Sequence, residues 1–478
     1  MKKAAALLLI ALMALSLISC GGEEKSKTDE YVTITWLVPA PKQDDLATVL
    51  EAANKISMEK IGAKLDLQFI DVADFTQMMD MKFTNKNSDF DICFTGYVNP
   101  YKDSALRGAY LPLDKYIADS KIKESIPEYA LENGRINGKI YGVPNLQILP
   151  DCTGLFINKV LADEAKLDID SIKCLEDIEP FLAWVKENHP EKYPFRTGAY
   201  LGGSKNSDNL IGEEIIGGVG VYLDDDGSLT VMTAEERANY AELELLHDWF
   251  KKGYIRADVE SVGDDSSEFY AGKYAVWRGW YKPGAAVEIK SSSLENECYV
   301  VQISKAYMKS AAGTDAMTAI NAQSKNPDLA FKMIELMNTD KEFYNLICYG
   351  VEGKHYTLTD DGFVEYIKNS GYYVTSWKFG NVFNSIPIVG HPADIWEQTE
   401  LMNDTAVKSP IAGFTFDPTP VRTEIAQMSL VHSRYASCFL NSISEWRNLY
   451  YAEMKLAGVE TVKAEVEKQL AEWEKTRK

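Results

Sequence analysis

The chain has 478 residues, of which 46% are hydrophobic and 25% charged, and this composition is typical of a folded globular protein. Its formal net charge is −21, without a lysine and arginine cluster, which argues against nucleic-acid binding because phosphates require a basic surface. Seven cysteines at wide, irregular spacings predict mostly buried free thiols rather than a disulfide framework.

The N-terminus has the organisation of an export signal. Two lysines precede an uncharged apolar run over residues 4–18, which is shorter than the roughly 20 residues that a membrane-spanning helix needs. We therefore predict a cleaved signal peptide at 1–19. The ending Leu17-Ile18-Ser19-Cys20 resembles the lipobox of bacterial lipoproteins. This resemblance implies that Cys20 carries a diacylglycerol anchor, which holds the protein outside the cell and close to the membrane.

The residues after the signal divide into a tether and a folded body. Segment 20–30 is small, polar and charged, and such a composition predicts a flexible tether because it cannot bury apolar surface. About 450 residues remain, which is more than a single hydrophobic core usually holds. The body is therefore predicted to contain two lobes.

The body opens with strands and helices in alternation. We predict strands at 31–38, 64–70 and 89–94, and amphipathic helices at 44–61 and 72–85. Because strand–helix–strand units connect parallel strands, this order predicts an α/β fold. Further along, the hydrophobic spacing predicts strands at 155–158 and 274–277, a hairpin at 222–231, and helices at 159–165, 177–188, 240–250, 327–337 and 459–473.

The order of several short segments resembles that of the family 1 extracellular solute-binding proteins, the group that includes maltose-binding protein. These segments are Phe-Asp-Ile at 90–92, Gly-Lys-Ile-Tyr-Gly-Val-Pro at 138–144, Leu-Phe-Ile-Asn-Lys at 155–159, Ala-Gly-Lys-Tyr-Ala-Val-Trp at 271–277, and Asn-Pro at 326–327. The resemblance implies a two-lobed, periplasmic-binding-protein-like type II fold. It also implies a hinge near Val143-Pro144, a ligand between the lobes, and an ABC importer permease as the partner.

Later segments resemble a lipoprotein subgroup with its own C-terminal domain of unknown function. They include Lys-Pro-Gly at 282–284, Gly-Asn at 380–381, Ser-Pro at 409–410 and Gly-Phe-Thr-Phe-Asp at 413–417. We predict that lobe 1 consists of 31–145 plus about 300–348. Lobe 2 is predicted to consist of 146–299 plus about 349–478, including extra C-terminal helices.

Aromatic and polar side chains near predicted strand ends are the candidates for a sugar site. A sugar presents C–H groups that stack on aromatic rings and hydroxyl groups that need planar polar partners. In an open α/β sheet, the strand ends point their loops into the ligand crevice. The predicted ligand-binding residues are Trp36, Thr95, Tyr97, Gln147, Trp277, Arg278, Trp280, Trp377 and Asn381.

Signals for other functions are weak. The chain lacks G-x-S-x-G and H-E-x-x-H, its five histidines have no metal-ligand spacing, and no cofactor is expected. Asp224-Asp225-Asp226-Gly227 has Thr233 where a calcium loop needs glutamate, so we predict a solvated turn. We predict a monomeric binder of a sugar or oligosaccharide and not an enzyme. A peptide or other small-solute binder of the same fold stays open, as does an anchored glycoside hydrolase, which needs only two suitably spaced carboxylates.

Overall fold

The computed structural model describes residues 31–85, 89–197, 211–224, 226–237, 240–262, 265–292, 297–435 and 443–476. The predicted signal peptide, Cys20 and the tether lie outside the described residues. Within these ranges, every helix is too short or too polar to traverse a lipid bilayer.

Strands and helices alternate along most of the chain. The strands are β1 Val32–Pro39, β2 Ala63–Ile70, β3 Ile92–Gly96, β4 Arg135–Ile136, β5 Lys139–Ile140, β6 Gly142–Pro144, β7 Thr153–Asn158, β8 Tyr193–Arg196, β9 Ile211–Ile216, β10 Val219–Leu223, β11 Leu229–Thr233, β12 Tyr274–Trp280, β13 Cys298–Gln302, β14 Tyr307–Met308, β15 Ala316–Ile320, β16 Tyr356–Leu358, β17 Val364–Tyr366 and β18 Val407–Lys408. The α-helices are Leu46–Ile61, Val72–Thr84, Tyr101–Leu106, Asp114–Ala118, Ile122–Ser125, Glu128–Asn133, Lys159–Ala165, Glu179–Asn188, Ala234–Arg237, Tyr240–Lys251, Ser266–Tyr270, Ala285–Ser292, Pro327–Thr339, Lys341–Tyr349, Ile395–Thr405, Arg422–Arg434, Ile443–Ala457 and Val459–Glu474.

Lobe 1 is built on a five-stranded sheet in the order β2-β1-β3-β15-β6. β1 is parallel to both β2 and β3, as the strand–helix alternation predicts, whereas β15 runs antiparallel to β3 and β6. Trp36 and Val38 of β1 pack into the core on one face, and Leu37 packs into the core on the other. The sheet is therefore covered on both faces at this end of β1, which explains why Trp36 to Val38 are three consecutive hydrophobic residues.

Lobe 2 contains a four-stranded sheet in the order β13-β7-β12-β8. Its two faces also carry separate cores. Leu155 and Val276 belong to the core beneath helix Glu179–Asn188, and Phe156 and Trp277 belong to the core on the opposite face. The alternation of side chains along β7 and β12 assigns each residue to one of these cores.

The C-terminal helices form an extension of lobe 2. Helices Arg422–Arg434, Ile443–Ala457 and Val459–Glu474 enclose a core with strands β9 to β11, in which Val221 and Val462 are fully buried. The predicted hairpin is present as antiparallel β10 and β11. Its valines face the helices, so it is buried on one face.

Three chain segments connect the lobes: 145–152, 303–315 and 406–417. The backbones of Asp151 and Tyr307 exchange two hydrogen bonds of 2.8 Å, and β14 pairs in parallel with β18. The first connection begins just after Val143 and Pro144, which themselves lie in the regular strand β6. Short ladders thus tie the three adjacent connections to one another, and we call this region between the lobes the hinge.

The domain boundary predicted near residue 349 is wrong. The sequence predicts that about 349–478 belongs to lobe 2. Four residues of this segment belong instead to the main core of lobe 1: Tyr356, Val364, Tyr372 and Phe379. They pack there because this segment folds back over helix Lys341–Tyr349, whose side chains are buried in the same core. Ala406 is the last residue of the chain in the lobe 1 core, and the next residues, Val407 and Lys408, pair with β14 between the lobes.

Candidate functional site

The carboxyl ends of β1 and β3 form one edge of the lobe 1 sheet beside the hinge. Gly96 ends β3 with a φ of 143°. A Cβ at this position would lie 2.0 Å from the carbonyl oxygen of Asp315, which belongs to the second connection. Glycine is therefore required for the close approach. The next residue, Tyr97, donates its backbone N–H to the same carbonyl at 2.8 Å, which fixes Tyr97 at this edge.

Three aromatic rings meet at this edge. Tyr97 is 48% exposed, and its ring centroid lies 5.7 Å from that of Trp377 and 5.6 Å from that of Phe94. Phe94 is fully buried and supports the other two from below. Partial burial raises the pKa of the Tyr97 phenol. The phenol hydroxyl can donate a hydrogen bond to a ligand. The sequence prediction of Tyr97 and Trp377 thus names two residues that the fold brings together.

Trp280 occupies the corresponding position on lobe 2. It is the last residue of β12, pairs with Thr153 at the start of β7, and is 46% exposed. Its indole Nε1–H donates to the carbonyl of Pro150, in the first connection, at 3.2 Å. The Lys282 ammonium lies 6.0 Å from the centre of its ring. Both lobes therefore present an aromatic side chain next to the hinge.

Three other predicted residues are buried side chains. Trp36 is 1% exposed and packs edge-on against Phe379. Thr95 is fully buried and donates its hydroxyl to the carbonyl of Asn99 at 2.6 Å. Trp277 is 4% exposed and stacks on Phe156 at 5.3 Å. These side chains present no open face, so we correct the prediction and leave them out of the site.

The remaining predicted residues hold other parts of the fold. Arg278 forms an ion pair of 2.6 Å with Glu242, a buried carboxylate. Asn381 is 6% exposed, and its amide donates to the carbonyl of Ser125 at 3.2 Å and accepts from the N–H of Phe383 at 3.0 Å. The backbone carbonyl of Gln147, in the first connection, accepts from Asn403 at 2.8 Å.

Sequence reasoning missed Lys378, which adjoins the aromatic edge. Its ammonium donates to the carbonyl of Pro39, the last residue of β1, at 2.6 Å and lies 5.5 Å from the centre of the Trp377 ring. The sequence around Lys378 contains no pattern that predicts burial of a lysine. This residue could therefore not be identified as a site residue from the sequence.

Two other grooves lie on lobe 1, away from this edge. One of about 820 Å³ is lined by Ile56, Asn345, Val351 and Trp396, among others, and a smaller one of about 430 Å³ adjoins it. The first faces helix Leu46–Ile61 rather than lobe 2. In the described ranges, histidine, cysteine, aspartate and glutamate form no group of three or more that could hold a metal ion. The five cysteines described are all free, as predicted.

Two family profiles match the sequence of the chain. The profile described as "Bacterial extracellular solute-binding protein" matches residues 40–342, and one described as "Domain of unknown function (DUF3502)" matches residues 410–475. The first match covers more than half of the chain. The chain is a bacterial extracellular solute-binding protein. Membership of this family implies an extracytoplasmic location for the solute-binding protein, and the resemblance deduced from its short motifs is confirmed.

A curated relative supports the same assignment. The solute-binding protein is 28% identical over 437 residues to a "Carbohydrate ABC transporter substrate-binding protein" of Streptococcus pneumoniae serotype 4, covering 88% of this chain and 87% of the relative.

Solved structures share the fold over nearly the full length. The N-glycan transport solute binding protein NgtS of Streptococcus pneumoniae has a TM-score of 0.83 and 23% identity, covering 94% of this chain and 100% of that one. The same protein in complex with Man1GlcNAc has a TM-score of 0.73, covering 92% and 99%. An extracellular solute-binding protein of Bifidobacterium longum subsp. infantis has a TM-score of 0.62 at 15% identity, covering 92% and 98%. These likenesses confirm the two-lobed α/β fold of the solute-binding protein.

Proposed function

We propose that this protein captures a sugar or short oligosaccharide between its lobes and delivers it to the permease of an ABC importer. The observation that carries the proposal is the partly exposed aromatic surface on both sides of the hinge, formed by Tyr97 and Trp377 on lobe 1 and by Trp280 on lobe 2. Aromatic planes bind the C–H face of a sugar ring. A cleft with a few such planes and adjacent polar groups suits a small neutral ligand.

The likeness to carbohydrate binders supports an oligosaccharide as the ligand. The curated relative is named as a carbohydrate transporter component, and NgtS is described in complexes with Man1GlcNAc and Man5GlcNAc. Mannose- and N-acetylglucosamine-containing oligosaccharides are therefore the first ligands to test.

Closure of the lobes would couple binding to recognition by the permease. In the open state a ligand contacts the aromatic surface of one lobe, and in the closed state it contacts both. It shifts the population toward the closed state only by the free energy of these additional contacts. About 5.5 kcal/mol of differential binding converts a protein that is 1% closed into one that is 99% closed. The three connections tied by Asp151, Tyr307 and β18 are the elements that would bend.

Attachment to the membrane completes the proposal. A lipid on Cys20 would hold the body near the permease, and the tether would allow it to reach the permease. A radiolabelled fatty acid is expected to be incorporated into the wild type and not into Cys20→Ala. Equal labelling of the two proteins would contradict this anchor.

A panel of oligosaccharides tests the function directly. We expect at least one of mannose, N-acetylglucosamine-containing, fructose or glucose oligosaccharides to raise the melting temperature, because a ligand at 100 times its Kd stabilises the folded state by about 2.7 kcal/mol. Chromatography of the same mixtures should show intact sugars, since we propose a monomeric binder and not an enzyme. The absence of any shift across the panel would reject carbohydrate binding, and cleavage would favour a glycoside hydrolase.

A further inference from the structure

Lys378 is a buried cation without a carboxylate partner in the described ranges. The residue is 7% exposed, and its ammonium makes one hydrogen bond, to the carbonyl of Pro39 at 2.6 Å. No described aspartate or glutamate lies within ion-pair distance of it. An ammonium has three N–H donors, so two donors are left for another acceptor.

Two arginines of lobe 2, Arg256 and Arg278, are instead paired with carboxylates. Arg278 is paired with Glu242 at 2.6 Å, and the buried guanidinium of Arg256 bonds to Asp258 at 2.6 Å and to Glu268. Burying an unpaired charge is costly, and lysine is rarely buried without a partner. Burial lowers the pKa of Lys378, in keeping with this cost. Within the described residues, the Pro39 carbonyl and the Trp377 ring are the contacts of this charge, and neither of them carries a negative charge.

Lys378 lies at the cleft edge of the sheet. Pro39 ends β1, and β1 is the parallel neighbour of β3, which Tyr97 follows. The ring of Trp377 lies 5.5 Å from the ammonium and 5.7 Å from the ring of Tyr97. Trp377 packs against the core on one face of the sheet, and Phe379 packs against the core on the other face. Lys378 lies between them, where the chain passes the ends of the strands.

The backbone of Lys378 is tied to the hinge. Its carbonyl accepts a hydrogen bond of 2.8 Å from the amide of Asn145, the first residue of the first connection. Asn145 is 1% exposed and also accepts from the hydroxyl of Thr318 at 2.8 Å. The position of the ammonium is thus fixed on both sides, by Pro39 at its tip and by Asn145 at its base.

We propose that Lys378 is a specificity-determining residue whose ammonium donates hydrogen bonds to oxygen atoms of a carbohydrate stacked on Tyr97 and Trp377. The inference rests on the proposed function. Hydroxyl oxygens of the sugar would accept hydrogen bonds from the two remaining N–H donors of the ammonium. A bound sugar would therefore compensate for the burial of the charge. An apolar ligand of the same shape would leave the two donors without acceptors and would bind weakly.

The test compares the wild-type protein with Lys378→Met by calorimetric titration of Man5GlcNAc, or of whichever panel oligosaccharide stabilises the wild type. Methionine keeps much of the length of the side chain and removes the charge and the donors. We expect affinity to fall at least tenfold while the melting temperature of the unliganded variant stays equal to or above that of the wild type. Lys468→Met, on the exposed face of helix Val459–Glu474, is the matched control and should bind as the wild type does.

Each outcome separates this inference from the proposed function. A wild type that binds no carbohydrate rejects the function. A wild type that binds, with Lys378→Met binding equally well, rejects the role of Lys378 alone. A variant that loses affinity together with melting temperature indicates a structural role and also rejects the inference. Should Lys378→Met fail to fold, Lys378→Arg retains the charge but changes the direction of the donors, and the same tenfold loss is expected.

Discussion

The rings of Tyr97 and Trp377 lie 5.7 Å apart at an interplanar angle of 58°, although 280 positions separate them in the chain. The close approach of Gly96 to Asp315 fixes the end of β3, and Tyr97, the next residue, contacts Trp377 there. The pair forms an aromatic corner with Tyr97 half exposed. We regard this corner as the lobe 1 half of a sugar site.

Replacement of Tyr97 tests the corner. We predict that Tyr97→Ala weakens oligosaccharide binding about tenfold or more, corresponding to about 1.4 kcal/mol, because the variant loses a stacking plane. Calorimetric titration measures this change. Leu449→Ala removes an apolar side chain that is 51% exposed on the C-terminal extension and should leave affinity unchanged. Equal affinities of Tyr97→Ala and wild type would remove Tyr97 from the site.

The two tryptophans of β12 should separate stability from binding. Trp277 is buried against Phe156 and Phe269, so Trp277→Ala is expected to lower the free energy of unfolding by about 3–5 kcal/mol through loss of core packing. Trp280 is 46% exposed, and Trp280→Ala should change stability by about 0.5 kcal/mol or less while reducing oligosaccharide affinity. Urea unfolding and titration of both variants distinguish the roles. The reverse pattern would place the binding residue at Trp277.

Glu213 ties two of the three connections together. Its carboxylate accepts from the backbone N–H of Ser310 at 2.9 Å, from the Ser310 hydroxyl at 2.8 Å and from the Ser409 hydroxyl. We predict that Glu213→Gln lowers the free energy of unfolding by about 2 kcal/mol, because these bonds lose their ionic acceptor.

Urea unfolding measures this loss, and the neighbouring residue provides its control. Glu214 is exposed and accepts from the N–H of Gly218 at 3.0 Å, so Glu214→Gln should have a much smaller effect. Similar losses in the two variants would contradict a special role of Glu213 at the hinge.

An acidic pH should weaken lobe 2 through Asp265. The Arg196 guanidinium, 3.0 Å away through Nε, holds the pKa of this carboxyl at about 2, below its ordinary value of 3.8. A depressed folded pKa contributes stability that is complete above about pH 4 and is lost as the pH falls toward 2. The shift corresponds to about 2 kcal/mol.

The pH dependence is measured as a difference between wild type and Asp265→Asn. We expect wild type to be more stable by about 2 kcal/mol at pH 6 and the gap to close between pH 4 and pH 2. The comparison cancels the contributions of other carboxylates. A gap that stays constant down to pH 2 would contradict the depressed pKa.

Local pattern predicted much of the fold but not its long-range pairing. The alternation and helical spacing between residues 31 and 94 predict parallel β1, β2 and β3, which the structure confirms. β15 joins the same sheet in antiparallel orientation from more than 200 positions away. A short apolar strand carries no information about its distant partner. The sequence pattern therefore could not predict the pairing of β15 with β3 or the correct lobe boundary near residue 349.

The errors in the predicted site arose mainly from errors in the predicted ends of strands. The pattern predicts Trp36 close to a strand end, but β1 continues to Pro39 and Trp36 is buried. The pattern predicts a strand that ends at Trp277, but the strand continues to Trp280, so only Trp280 reaches the edge of the sheet. Alternation indicates which face a residue occupies, whereas exposure depends on where the strand stops, and boundaries are the least certain feature of a pattern.

The most direct test is a crystal structure of the protein with the oligosaccharide that stabilises it. We predict sugar density in the cleft, with one ring against Tyr97 and Trp377, an oxygen within hydrogen-bonding distance of the Lys378 ammonium, and Trp280 of lobe 2 in contact with the same ligand. Density confined to one lobe, for example in the groove lined by Asn345 and Trp396, would contradict carbohydrate capture between the lobes.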